Sequence, residues 1–344
     1  PKHCITMAPD AEGFLYPVVD QHTCIECGAC EKVCIELGRF EKKRPMLAYA
    51  SKNKNEKVRM SSSSGGIFTP LAEYVIAKGG VVFGVKLNDK LECIHDYTEN
   101  IEGLSAFRGS KYLPSDCNNS YKKVDVFLKQ GKLVLYSGTP CQVAGLNKYL
   151  KKDYDNLITV DLTCHGVPSP IVWRSYMKWV KNKMGADKDS LNVKFRDKSQ
   201  WLWEDYHITI KQVDGTGNSC YSCSHKSDPF MQLFIRDVIL RPSCYRCPTK
   251  AGSSNADITL SDFWHMNHFI PDFNDHKGVT LVFLNTEKGI SLFNNVDADS
   301  IETPVLFGTK HKPAWYAEER AIPPTRDFMI RGMRMFPFYW LSRI

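Results

Sequence analysis

Apolar positions recur at helical spacing along GGIFTPLAEYVIAKGG (65–80), where Ile67, Phe68, Leu71, Tyr74 and Val75 share one face. Gly79 supplies a stop, and Pro70 has to sit in the first turn or bend the helix. VVFGVKL (81–87) reads as a strand, 121–131 as a helix ending at Gly131, and KLVLYSG (132–138) as a buried strand. A helix over 141–150 and a strand over 157–164 follow. The segment 169–185 has Ser169 as N-cap, Pro170 at the first helical position and Gly185 as stop. Its apolar stripe is Ile171, Val172, Tyr176, Trp179 and Val180. Strand-like stretches at 191–197 and 205–213 precede ADITLSDFW (256–264) and GVTLVFLN (278–285).

Helix and strand units followed by an antiparallel-looking later half predict an α/β (α+β) domain with a mixed sheet. The first 45 residues form a small cysteine-bearing domain, and 46–60, with the polar run SKNKNEK (51–57), reads as a linker. The main domain is expected over 61–344.

Composition adds limits. With 43% hydrophobic and 24% charged residues, the 344-residue chain is ordinary for a globular protein. The net charge of +7 is scattered rather than striped, so the expectation is no nucleic-acid partner. No apolar run reaches bilayer length. Thirteen cysteines, an odd number, fit metal binding in a reducing cytoplasm better than a disulfide framework.

CIECGACEKVC places Cys24, Cys27, Cys30 and Cys34 at the C-x2-C-x2-C-x3-C spacing of bacterial ferredoxins. In that pattern the fourth cysteine serves a second cluster, and proline follows the last cysteine of a motif. This chain starts PKHC, and Cys34 is followed by Ile35. The expectation is the second half of a two-cluster ferredoxin-like domain whose first half precedes Pro1. Cys24, Cys27 and Cys30 would then be unclustered here or filled by an adventitious metal, with Cys4 a poor substitute ligand.

A second set is dispersed. Cys141 in SGTPCQVAGL and Cys164 in DLTCHGVPSP each end a strand, and two parallel strands would bring them side by side. RPSCYRCPTK adds Cys244 and Cys247. A rival grouping, Cys220-x2-Cys223 with Cys244-x2-Cys247, has zinc-ribbon spacing, and spacing alone favours it. Cys93 and Cys117 carry no spacing argument.

SSSSGG (61–66) before a helix and SGTP (137–140) after a strand are candidate anion loops. FRGSKYLPS offers Arg108 and Lys111 to a phosphate or ring. His165 beside Cys164 is a candidate to donate to sulfide or move a proton. FRDKSQW (195–201) and SDFW (261–264) read as a core edge or a substrate wall, and the aromatic tail 333–344 as cover for a core, ahead of a partner surface.

Taken together, Ser63–Phe68, Arg108–Tyr112, Gly138–Leu146, Cys164–Pro170, Phe195–Trp201, Arg241–Cys247 and Asp257–Trp264 resemble the motifs of the coenzyme F420 hydrogenase/dehydrogenase beta-subunit family, in the family's order. The resemblance covers about residues 1–265 and loosens beyond. It implies an oxidoreductase that binds FAD beside a [4Fe–4S] cluster and exchanges electrons with ferredoxin-type clusters. The flavin would pass hydride to F420 or another organic substrate. Ferredoxin or a redox partner subunit would complete the route.

The resemblance assigns the core cluster to Cys141, Cys164, Cys244 and Cys247, reversing the zinc preference. It makes Ser63, Ser64, Gly65, Gly66, Arg108, Lys111, Ser137 and Thr139 the flavin-site candidates. Two other readings stand beside it: an electron-input subunit of a hydrogenase or dehydrogenase complex, and a non-catalytic zinc-ribbon interaction protein.

Overall fold

The structure, a computed structural model, describes residues 2–117, 119–185, 191–213, 220–305, 320–335 and 338. Elements are numbered in chain order. Among the described residues the largest sheet has nine strands. From one edge these are β14 (Ala298–Thr303), β3 (Leu47–Asn53), β13 (Thr280–Leu284), β12 (Ile258–Asp262), β8 (Leu157–Leu162), β7 (Val134–Ser137), β4 (Val81–Leu87), β5 (Cys93–Thr98) and β6 (Ser115–Asp116). Strands β4, β7, β8 and β12 are parallel neighbours, whereas β13, β3 and β14 run antiparallel beyond them. The sheet is therefore mixed, with a parallel centre and an antiparallel flank.

Alternation along the strands feeds two cores. Val81, Phe83, Val134 and Tyr136 pack under α4 (Ser120–Lys129) and α5 (Pro140–Leu150), with Val124, Leu128, Val143 and Leu146. Val82, Leu135, Ile158 and Val282 face Leu71 and Val75 of α3 (Phe68–Ala77) and Leu292 and Phe293 of α8 (Glu287–Phe293). Each such fully buried aliphatic side chain contributes about 2 kcal/mol. Pro70 is the third residue of α3, inside the first turn, where its missing N–H costs no hydrogen bond.

A third core lies outside the large sheet. Helix α6 (Pro170–Met184) and α7 (Pro229–Ile235) pack on an antiparallel sheet of β9 (Leu191–Asp197), β10 (His207–Gln212) and β11 (Cys220–Ser224). Ser169 caps α6 through Val172 N–H, and Gly185 closes it at φ 62°. Asp228 caps α7 at Met231 N–H. From the aromatic tail, Phe338 packs edge-on to Tyr176, 5.4 Å between ring centres, while 336, 337 and 339–344 lie outside the described residues. Helix α9 (Arg326–Met335) precedes it.

The front segment is a hairpin of β1 (Ile5–Pro9) and β2 (Leu15–Val19), then α1 (Ala29–Val33). Helix α1 packs against α5. The stretch 46–60, expected as a linker, instead supplies β3 and α2 (Glu56–Met60). Strand β3 pairs on both sides, with β13 and β14, and buries Ala48, Ala50 and Ser51. Small and polar residues mask this strand from a hydrophobicity reading, yet they suit a strand closely pressed by the 61–66 loop.

Candidate functional site

Two parallel strands and one loop bring four sequence-distant thiols together. Cys141 is the second residue of α5, just past β7, and Cys164 follows the neighbouring strand β8. The segment after Cys164 is tied to the one before Cys244 by Ser169 N–H to Ile239 O and Arg241 N–H to Val167 O. Gly166 sits at φ 145°, a backbone conformation that residues with a side chain rarely adopt, and a Cβ there would also crowd Leu240 Cδ1 at 2.9 Å. Cys141, Cys164, Cys244 and Cys247 thus lie within electrostatic reach of one another.

Burial first, and mutual repulsion second, push the Cys164 thiol up to about 12, and the same two causes raise Cys141. Burial likewise raises Cys244. Such a set stays protonated until a cation displaces the protons, which is how thiolate sites load metal. Among the described residues, no three His, Cys, Asp or Glu side chains close around a single-ion position.

The zinc-ribbon grouping is not assembled in this way. Cys220 and Cys223 lie three residues apart on β11, so they face opposite sides of that strand. Cys223 neighbours Tyr221 and Asp228 instead.

Around the quartet, Thr139 Oγ1 is 3.1 Å from Cys141 Sγ and 3.0 Å from Gln142 Oε1, and Thr249 Oγ1 is 3.3 Å from Cys247 Sγ. His165 has both ring nitrogens engaged: Nε2 with Asp237 at 2.8 Å and Phe234 O at 3.0 Å, Nδ1 with Arg320 at 3.5 Å. The imidazole is fixed by an ion-pair network. Lys250, which no pattern in the sequence marks, is buried here and donates to His165 O and Cys244 O, each at 3.4 Å.

In the front motif, Gly28 at φ 64° starts α1. Cys27 and Cys30 are exposed, Cys24 and Cys34 half-buried. Cys4 is in hydrogen-bonding contact with Cys24. Because α1 packs on α5, the front motif sits on the helix whose first turn carries Cys141.

The candidate flavin residues fall into two places. Ser63–Gly66 and Arg108–Lys111 meet: Ser110 N–H donates to Ser63 Oγ at 2.5 Å, and Arg108 Nε to Thr69 Oγ1 at 3.1 Å. Ser64 Oγ donates to Val279 O, and Gly65 N–H donates to Thr280 Oγ1, so both are committed to the strand beside them. Gly66 accepts from Asn53 Nδ2 through its carbonyl. Lys111 Nζ donates to the carbonyls of Arg108 and Gly109, and burial draws it down to about 8. Ser137 and Thr139 lie elsewhere, on the cysteine side, three strands across from β13.

Beneath the 61–66 loop is a cationic group. Lys198 is 1% exposed and donates to Ser64 O and Lys277 O. Arg59 pairs with Asp275 and donates to Gly278 O. Arg196 pairs with Asp262 at 2.5 Å and lies over the Tyr206 ring at 4.4 Å. Its Nε and Nη2 are buried without a partner among the described residues. Trp264 borders Arg196 and stacks on Trp203 at 4.5 Å. Beside it opens a cleft of about 650 Å³ with Trp203, Tyr206, His225, Trp264, His265 and His268 in its wall. The sequence marks 195–201 and 261–264 only as an edge or wall.

Residues 131–305 match the family model for the carboxy-terminal part of the coenzyme F420 hydrogenase/dehydrogenase beta subunit. A solved chain from the F420-reducing [NiFe] hydrogenase complex of Methanosarcina barkeri, in a xenon-derivatization study, superposes with a TM-score of 0.51. The two chains are 13% identical, and the match covers 88% of this chain and 91% of that one. At this identity the likeness shows the fold alone. No curated protein matches.

Proposed function

The chain belongs to the coenzyme F420 hydrogenase/dehydrogenase beta-subunit family, and from that premise we propose that it is an iron–sulfur flavoprotein oxidoreductase. Cys141, Cys164, Cys244 and Cys247 would hold a [4Fe–4S] cluster. The observation that carries this is their convergence: Cys141 and Cys164 at the ends of parallel strands, with Cys244 and Cys247 from one loop within electrostatic reach, all four half-buried. Four thiolates are the ligand set of such a cluster.

FAD would bind through the loops at 61–66 and 107–113. The unpartnered Arg196 Nε and Nη2 donors near the loop support a site for an anionic ligand. Ser64 and Gly65 are held by Val279 and Thr280, and Ser63, Gly66, Arg108 and Lys111 would take a ligand alongside the protein contacts they already make. The bound flavin would exchange two electrons with an organic substrate, F420 or another ring acceptor, and single electrons with iron–sulfur centres. The aromatic cleft has the size of a ring-ligand site. There the aromatic groups of the wall would stack on the ring.

Exposed Cys27 and Cys30 mark the side where ferredoxin or a partner subunit would deliver electrons. Contact of α1 with α5 joins that side to the helix that carries Cys141. Anaerobic purification with iron, sulfide and flavin analysis tests the reading. About four iron and four sulfide per chain at the core, with bound flavin, is expected. A colourless protein containing zinc, with no flavin affinity after anaerobic reconstitution, would overturn it.

A further inference from the structure

We propose that Lys250 is a buried positioning cation that joins the two cysteine-bearing segments and raises the reduction potential of the cluster they hold. This deepens the iron–sulfur reading and rests on it. Lys250 is 2% exposed, in a chain where lysines otherwise mostly reach solvent. Its ammonium donates to the carbonyl of His165, next to Cys164, and to that of Cys244, each at 3.4 Å. These carbonyls belong to different segments, one leaving β8 and one in the turn Pro242–Tyr245. One side chain therefore adds a third tie to the two backbone bonds that already join them.

Its charge also acts on the sulfurs. Lys250 stands within Coulombic reach of Cys164 and of Cys244 from the two carbonyls it is bonded to. A buried ammonium keeps most of its field, because little water screens it. Reduction adds a negative charge to a site already ringed by thiolates. A fixed cation stabilises that form more than the oxidised one, so the potential rises. Arg241 also acts on Cys244, but its Nη2 is engaged with Leu15 O and its guanidinium lies over Tyr16. Lys250 differs in that its ammonium itself bridges the carbonyls of both cysteine segments.

The test compares the full wild-type chain with Lys250→Gln, Lys250→Met and Lys250→Arg, reconstituted anaerobically with iron and sulfide. Gln keeps a donor without charge, Met keeps volume, and Arg keeps charge. The readout is the midpoint potential from an EPR-monitored redox titration of the core signal, with iron content and thermal unfolding alongside. Gln and Met variants that load iron are expected to titrate at more negative potential, with Arg close to wild type. Loaded neutral variants at the wild-type potential overturn the proposal. So does a set in which only Arg folds and loads, since Lys250 is then a folding element alone. A wild-type chain that binds no iron sinks the underlying functional reading instead, and the two failures are told apart by that first sample.

Discussion

The ammonium of Lys198 donates at 2.7 Å to the carbonyl of Ser64, 134 residues earlier in the chain, and holds the 61–66 loop down onto a cationic bed. Burial first, then the charges of Arg196 and Arg59, draw Lys198 down to about 7. Unfolded, the same lysine titrates near its ordinary value of about 10.4. Between these two values the unfolded chain binds more protons, so stability rises with pH across that window. Lys198→Met removes this contribution. Urea midpoints measured from pH 6 to pH 9 should climb more steeply for wild type than for the variant. Parallel curves would show that Lys198 titrates normally.

Gly65 answers a different need. A Cβ there would lie 2.3 Å from Ser51 O and 2.6 Å from Thr280 N, both backbone atoms of strands that cannot step aside. Gly65→Ala should cost about 3 kcal/mol, the upper end for overpacking, and should lower flavin affinity by displacing the loop. Chemical unfolding with flavin titration checks both. Wild-type stability in the variant would contradict the close approach.

Much of the fold is legible because periodicity and end signals agree. Ser169, Pro170 and Gly185 bound α6 as read, and VVFGVKL is β4 residue for residue. Strand β3 is hidden because LAYASKN carries small and polar side chains, and its partners β13 and β14 lie more than 200 residues away. The quartet of cysteines is brought together, but spacing alone prefers the Cys220 and Cys223 pair. Spacing does not reveal that those two sit on a strand, facing apart. Lys250 and Arg59 are invisible for a related reason: a basic residue in sequence looks solvated until tertiary packing buries it.

Asp228 organises the smaller module. It is fully buried, accepts from Tyr176 and Tyr221 at 2.8 Å each, and caps α7 at Met231 N–H. Asp228→Ala leaves two phenols without an acceptor and removes a cap, a loss of about 3 kcal/mol or more. Asp228→Asn keeps an acceptor and should lose less. Thermal unfolding of the two variants gives the ordering, and equal losses would mean that the negative charge, not the acceptor geometry, matters.

The cysteines separate the functional readings most directly. Cys141, Cys164, Cys244 and Cys247 share one half-buried neighbourhood, so removing any one leaves three thiolates and an open corner. Each single Ser variant should lower core iron after reconstitution at least severalfold and shift or abolish its EPR signal, since alkoxide is a poorer iron ligand than thiolate. Cys220→Ser and Cys223→Ser should leave iron and spectrum unchanged, because that pair belongs to β11. A zinc-ribbon protein gives the reverse pattern: zinc lost with Cys220 or Cys223, retained with Cys141 or Cys164. Cys244 and Cys247 belong to both groupings and decide nothing. The contrast between Cys141 and Cys220 is therefore the discriminating pair, read by metal analysis of two otherwise folded variants.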